Sequence, residues 1–136
     1  MTGAVRLRGH HLGCVQGFTG HGYDGPFTAR LAAIAGALRA DPTAPVVLAD
    51  GADDVCEACP HFQGSVCARE PGAETRVRAH DAAFRAALGI AALGTVAIAD
   101  VASFLALHME SRESLRIACS GCPWTGDCSF FARLKG

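Results

Sequence analysis

Seven cysteines among 136 residues are the feature that most restricts what this chain can fold into. Six of them form two related groups, each with the pattern C-x-x-C-P followed by a third cysteine a short loop later. The two thiols of a C-x-x-C turn point to the same side and can bind one metal ion or neighbouring irons of one cluster. The pattern therefore predicts two metal-binding loops, one with Cys56, Cys59 and Cys67 and one with Cys119, Cys122 and Cys128.

The number and setting of the cysteines favour metal binding over disulfides. Seven thiols cannot all pair within one chain. No apolar stretch follows Arg6 and Arg8, so we expect no signal peptide. The longest uncharged stretch, residues 86–99, contains two glycines and is too short to cross a bilayer. We therefore expect a cytoplasmic protein with no membrane segment, and a reducing cytosol keeps cysteines available for metals.

Composition sets the broad class of protein. Half of the residues are hydrophobic and 18% are charged, so a packed core is expected. The length suits a single compact domain over residues 1–136. The formal net charge of −1 lacks the basic excess that a nucleic-acid surface needs, so we expect no nucleic-acid partner.

Apolar periodicity predicts a mainly α fold, with a small α+β fold as the variant. Helical spacing is found over about residues 27–40, 74–88 and 97–109. The β-branched run 46–48 predicts a strand, for a total of one or two short strands. Ser111 is predicted to cap a further short helix that ends near Ile117.

Each cysteine triad lacks one ligand for a four-ligand site. Cys14 can complete one triad, and a histidine can complete the other, which gives eight ligands in total. His10 and His11 precede Cys14 closely, but adjacent side chains diverge by about 100° on a helix. At most one of these two histidines therefore faces the same site as Cys14, and the other can donate a hydrogen bond to a ligand.

Other arrangements of the same residues stay open at this point. The two C-x-x-C pairs could form one all-cysteine zinc site, or four cysteines could hold one cluster. An iron with three protein ligands could leave a position for a substrate. A dithiol redox pair is a weaker interpretation, because it predicts one active pair in a βαβ unit. The G-x-G-x-x-G string at 20–25 follows no clear strand and is interpreted as a flexible turn, with His21 exposed.

Four strings, together with Cys67 and Cys128, carry a resemblance to a known family: LRGHHLGC at 7–14, GHGY at 20–23, DVCEACP at 54–60 and CSGCPW at 119–124. They resemble a prokaryotic domain of unknown function of about 130 residues, to which iron–sulfur binding is ascribed. Where that family often has a bulky apolar residue before the first cysteine, this chain has Gly13. The resemblance implies iron over zinc and brings no known substrate, reaction or partner. The matched positions are His10, His11, Cys14, Cys56, Cys59, Cys67, Cys119, Cys122 and Cys128.

The sequence therefore predicts an iron–sulfur protein with one or two clusters, [4Fe–4S] being favoured. The ligands are the seven cysteines, with His10 and His11 as candidate metal ligands. We expect electron transfer, redox sensing or cluster-dependent catalysis, with a redox partner protein or a small molecule as the partner. No catalytic residue is assigned, and whether the protein is an enzyme stays open. The alternative is a zinc-stabilised interaction module without redox chemistry.

Overall fold

The structure is a computed structural model that describes residues 4–64, 66–120, 122 and 124–134. Within these residues, helices make up 53% of the chain and the strands are short, so the predicted mainly α class with a small β component is confirmed. Five short strands are present where the sequence indicated one or two. The elements are β1 (Val5–Leu7), α1 (His11–Gly17), α2 (Gly25–Ala40), β2 (Val46–Leu48), β3 (Phe62–Gln63), β4 (Val66–Cys67), α3 (Ala73–Ala87), β5 (Thr95–Val96), α4 (Ile98–Leu107), α5 (Met109–Cys119) and α6 (Ser129–Leu134).

A small three-stranded sheet supports the N-terminal half of the chain. Strand β1 pairs in parallel with β2, and β5 pairs antiparallel with the other edge of β2. The alternation of strand side chains places Val5 and Leu7 in the core while Arg6 between them is exposed. Val46 is completely buried at the centre of the sheet. The strand predicted at 46–48 is confirmed, and its β-branched residues suit a covered sheet.

Helix α2 confirms the helix predicted over about residues 27–40, although it begins earlier, at Gly25. The side chain of Asp24 accepts a hydrogen bond of 2.9 Å from the backbone N–H of Phe27, and Pro26 occupies the first turn. The apolar face of the helix lies in the core, with Leu31 and Ile34 almost completely buried. The helix ends at Ala40, directly before Asp41.

The third predicted helix is two helices in the structure. Helix α4 ends at Leu107, and His108, with φ −127°, separates it from α5. The imidazole of His108 stacks on Phe104 at 3.9 Å between ring centroids and bonds to its carbonyl oxygen. Ser111 is buried inside α5, so the prediction that it caps a new helix is wrong. The break between α4 and α5 at His108 starts α5 three residues before the start that a cap at Ser111 would give.

Packing brings the two ends of the described chain together. Helix α1 packs against α2 on one side and against α6 on the other, and α5 packs against α3 and α6. Cys14 on α1 therefore lies close to the C-terminal cysteine motif. The first motif lies between β2 and α3, where Cys67 is paired with Phe62 in the β3–β4 hairpin. Within the described residues, no helix combines the length and apolar character that crossing a membrane requires.

Candidate metal centre

Four cysteine thiols surround one small, apolar pocket of about 40 Å³. Cys14 is carried by α1, and Cys119 is the last residue of α5. Cys128 directly precedes α6, and Cys122 lies in the turn between α5 and α6. The structure therefore joins Cys14 to the second triad. The aromatic residues Phe84, Phe130 and Phe131 also line the pocket.

Backbone hydrogen bonds fold the C-terminal motif around this pocket. The N–H of Cys122 donates to the carbonyl oxygen of Cys119 at 2.9 Å, and the N–H of Cys128 donates to that of Trp124 at 2.9 Å. The N–H of Phe131 points at Sγ of Cys128, at 3.4 Å. A backbone N–H aimed at sulfur stabilises the thiolate form that binds metals. Gly121 and Pro123 of this motif lie outside the described residues.

Two glycines of α1 allow the close approach of α6. A Cβ atom on Gly17 would overlap Sγ of Cys128 and come within 2.9 Å of the Phe130 backbone. A Cβ atom on Gly13 would come within 2.9 Å of the rings of Phe130 and Phe84. The space that a bulky residue before Cys14 would fill is therefore occupied here by the rings of Phe130 and Phe84.

The thiols around the small pocket raise one another's pKa. Burial, and then charge at Cys122 and Cys128, raises the pKa of the Cys14 thiol. The same two causes raise the pKa of Cys119 to about 12. Four thiolates around one pocket repel one another unless a cation lies between them. A metal would therefore have to displace protons on binding, which makes its affinity depend on pH.

The first cysteine triad lines a larger cavity of about 440 Å³. Cys56 begins a short 3₁₀ turn, and the N–H of Cys59 donates to its carbonyl oxygen at 2.9 Å. Cys67 approaches from strand β4. Cys14 and Cys122 also line this cavity, so both groups of thiols face a common space.

Two acidic side chains, the buried Asp53 and the partly buried Glu74, hold this first motif in place. Oδ1 of Asp53 accepts hydrogen bonds from the backbone N–H groups of Val55 and Cys56, at 3.0 and 2.9 Å. Oε1 of Glu74 accepts one from the N–H of Cys67 at 2.8 Å. The sequence analysis missed both acids. Asp53 stands three residues before Cys56, a spacing typical of a side chain that caps a turn, and this signal could have identified it.

Arg8 is a fully buried cation that links the first motif to α3. Its guanidinium donates to Asp81 at 2.7 Å, to Glu74 at 2.9 Å and to Sγ of Cys56 at 3.6 Å. Burial alone would raise the pKa of Asp81, but hydrogen bonds from His10 and Arg8 lower this pKa to about 2. A buried arginine needs such carboxylate partners, because an unpaired buried charge is strongly unfavourable.

His10 and His11 both lie at the wall of the larger cavity, each held by a buried carboxylate. Nδ1 of His10 donates to Asp81 and Nδ1 of His11 donates to Asp53, both at 2.6 Å. Nε2 of each ring has no hydrogen-bond partner among the described residues and is available as a ligand atom. Burial, and then the neighbouring His11, lowers the pKa of His10 to about 4, which keeps this imidazole neutral.

Two groups of three side chains each bring their ligand atoms within 4.8 Å of one another. One group is His10, His11 and Cys14, so the prediction that at most one of the two histidines faces the same site as Cys14 is wrong. The other group is His11, Asp53 and Cys56. His11 is common to both groups, so it stands between the two sets of cysteines. Asp53 already accepts four hydrogen bonds, from the backbone of residues 8, 55 and 56 and from His11. It therefore acts as an orienting group for His11.

Aromatic side chains form another wall of the cavity. The ring of Tyr23 lies 4.5 Å from that of Trp124 and 4.7 Å from that of His61. The Tyr23 hydroxyl accepts a hydrogen bond of 3.0 Å from Arg69. His21 lies 5.4 Å from the Trp124 ring and is half-buried, so the prediction that it is exposed is wrong.

The fold and these side chains define a small, cysteine-rich α+β protein with groups that could hold a metal. The chain belongs to the DUF1284 family, described as proteins of unknown function, whose model matches residues 22–128. The match begins after His10, His11 and Cys14, so it covers the other six cysteines and leaves that motif untested. No curated protein and no solved structure matches the chain.

Proposed function

We propose that this protein binds an iron–sulfur cluster, [4Fe–4S] being favoured, through Cys14 and the C-terminal triad. The observation that carries the proposal is the convergence of four thiols from three parts of the chain on one pocket. Four cysteine thiolates are the usual ligand set of such a cluster. The ligands are Cys14, Cys119, Cys122 and Cys128.

The spacing of these thiols favours a cluster over a single zinc ion. A zinc ion with Zn–S bonds of about 2.3 Å holds its four sulfur atoms about 3.8 Å apart. Among the described residues, Cys14 forms a group of ligand atoms within 4.8 Å only with His10 and His11. The four sulfurs are therefore spread more widely than zinc requires. A cluster spreads its thiolates in this way because each one binds a different iron.

The surroundings of the pocket also suit a cluster. Phe84 and Phe130 are almost completely buried beside it and exclude water. Backbone N–H groups directed at sulfur and the exclusion of water both tune the reduction potential of a cluster. A bound cluster would supply one-electron chemistry. The protein residues fix its ligands, limit its contact with water and leave the larger cavity open beside Cys14 and Cys122.

A redox role follows from this arrangement. We propose electron transfer, redox sensing or cluster-dependent catalysis in the reducing cytoplasm, where thiolates stay available for metals. The cavity of about 440 Å³ could accept a small molecule beside the thiols. An electron-donating or electron-accepting protein is the other candidate partner. A zinc-stabilised interaction module remains the alternative, because four thiolates also satisfy zinc.

The experiment compares the anaerobically purified protein with the variant Cys14→Ser. The unchanged protein should absorb visible light at about 400 nm and give an EPR signal after reduction. Cys14→Ser should lose the C-terminal cluster, with fewer irons per chain. The control His108→Gln alters a histidine that stacks on Phe104 away from both cavities, and it should keep the full iron content. A protein that contains zinc without acid-labile sulfide contradicts the proposal.

A further inference from the structure

The first cysteine triad has a nearby candidate for its fourth ligand. His11 lines the larger cavity together with Cys56, Cys59 and Cys67. A ring nitrogen of His11 lies within 4.8 Å of Sγ of Cys56. His11 is largely buried, with 9% of its surface exposed, so its ring is held within the protein. The geometry places a nitrogen ligand beside one sulfur of the first triad, in a cavity that the other two sulfur-bearing residues also line.

Asp53 orients His11 and Cys56 together. Its Oδ2 accepts the hydrogen bond from Nδ1 of His11 at 2.6 Å, and its Oδ1 accepts the backbone N–H of Cys56 at 2.9 Å. With Nδ1 bonded in this way, Nε2 is the nitrogen left to bind a metal. Carboxylate-bonded histidine is the usual arrangement at protein metal sites, where the acid fixes the tautomer and the ring orientation.

His10 does not fit the same role, although it is the neighbouring residue and is also bonded to an acid. Its Nδ1 donates to Asp81 on α3, and its ring lies 4.8 Å from that of His80. Its close group of ligand atoms contains Cys14, which the C-terminal centre uses, and does not contain Cys56. Among the residues that the structure describes, His11 is the one histidine grouped with a cysteine of the first triad.

We propose that Cys56, Cys59, Cys67 and His11 hold a second iron–sulfur cluster. This proposal rests on the proposed function, because it assumes that the chain binds clusters. All four of these side chains line the cavity of about 440 Å³, so they border one common space, and four ligands are the usual number for a cluster. The seven cysteines and His11 then form two four-ligand sites. A histidine ligand raises the potential of a cluster, so the second cluster should be reduced more easily than the first.

The test isolates the second site in the full-length chain with Cys14→Ser, which removes the first cluster. This variant should keep about half of the iron of the unchanged protein, as expected for one of two four-iron clusters. Pulsed EPR of its reduced form should show a strongly coupled nitrogen nucleus. Labelling the histidines with ¹⁵N should alter that coupling. This result would assign the coupled nitrogen to a histidine without any substitution of His11.

Two further variants in the same background assign the ligand. His11→Cys should keep the iron, lose the nitrogen coupling and have a lower reduction potential. His10→Gln is the matched control, because it changes the adjacent, acid-bonded histidine, and it should keep the coupling. The proposal is overturned by zinc in the second site, by a cluster without nitrogen coupling, or by coupling lost only in His10→Gln. Absence of any cluster from the unchanged protein would instead overturn the proposed function itself.

Discussion

Nε of Arg8 donates a hydrogen bond of 2.7 Å to Oδ2 of Asp81, and both side chains are buried between the end of β1 and α3. The other oxygen of Asp81 accepts from His10, so one carboxylate holds both a buried cation and a histidine of the cavity wall. Arg8 also reaches Glu74, which binds the backbone of Cys67. This network couples the fold of β1 and α3 to the position of the first cysteine motif.

Replacement of Arg8 should strongly destabilise the protein. Arg8→Met leaves the buried carboxylate of Asp81 without its cation, whereas the partly buried Glu74 keeps its ion pair with Arg78, so we expect a loss of about 3–5 kcal/mol in the free energy of unfolding. Urea denaturation measures this loss. Arg116→Met is the control, because that arginine pairs with Glu113 at the surface and its loss should leave the midpoint unchanged. Equal effects of the two variants would show that the buried network is not a source of stability.

A methyl group at Gly17 should separate α1 from α6. Gly17→Ala would place a Cβ atom against Sγ of Cys128, so we expect a loss of about 1–3 kcal/mol in unfolding free energy and a lower iron content. Gly36→Ala is the matched control within α2, where a Cβ atom meets no other group within 4 Å. That variant should gain about 0.5–1 kcal/mol from helix propensity. Full iron retention in Gly17→Ala would contradict the close packing of the thiol pocket.

Removal of the Phe130 ring should open the small pocket to water. Phe130→Ala deletes a ring that is 4% exposed, and we expect a cost of about 3–5 kcal/mol from lost burial and the resulting cavity. The cluster should also lose its colour faster in air. Denaturation and the decay of visible absorbance measure the two effects. Leu107→Ala, at a side chain that is 80% exposed, should change stability by no more than about 0.5 kcal/mol and leave the decay rate unchanged.

Loss of a ligand in the first motif should lower stability as well as iron content. Cys59→Ser removes one of the three thiols in the segment between β2 and α3, where a bound metal would contribute to the folding free energy. We expect a lower melting temperature and less iron per chain. Treatment of the unchanged protein with an iron chelator should lower its melting temperature in the same direction. A Cys59→Ser variant that melts like the unchanged protein would show that this thiol is not coupled to folding.

The sequence was most informative where a local signal determines the structure. The apolar spacing of α2 depends on neighbouring residues, and the predicted helix is confirmed. Ser111 shows the limit of such signals. Its residue type favours a helix start, but stacking of His108 on Phe104 sets the break earlier and leaves Ser111 inside α5.

Much of the candidate site depends on contacts between distant parts of the chain. The cysteine spacing identified both motifs, but only the packing of α1 against α6 joins Cys14 to the second one. Arg8 and Asp81 are 73 residues apart, and no local pattern distinguishes them from surface charges. Asp53 could have been identified from the sequence, because it precedes Cys56 by three residues and caps the turn that carries Cys56.

The most direct test of the account is the iron, zinc and acid-labile sulfide content per chain of anaerobically isolated protein. Two four-iron clusters predict about eight irons and about eight sulfides per chain, with no stoichiometric zinc. Four of each would leave only the cluster at Cys14, Cys119, Cys122 and Cys128. Zinc without sulfide, in a colourless protein that iron and sulfide cannot reconstitute, would contradict the central claim that these thiols hold an iron–sulfur cluster.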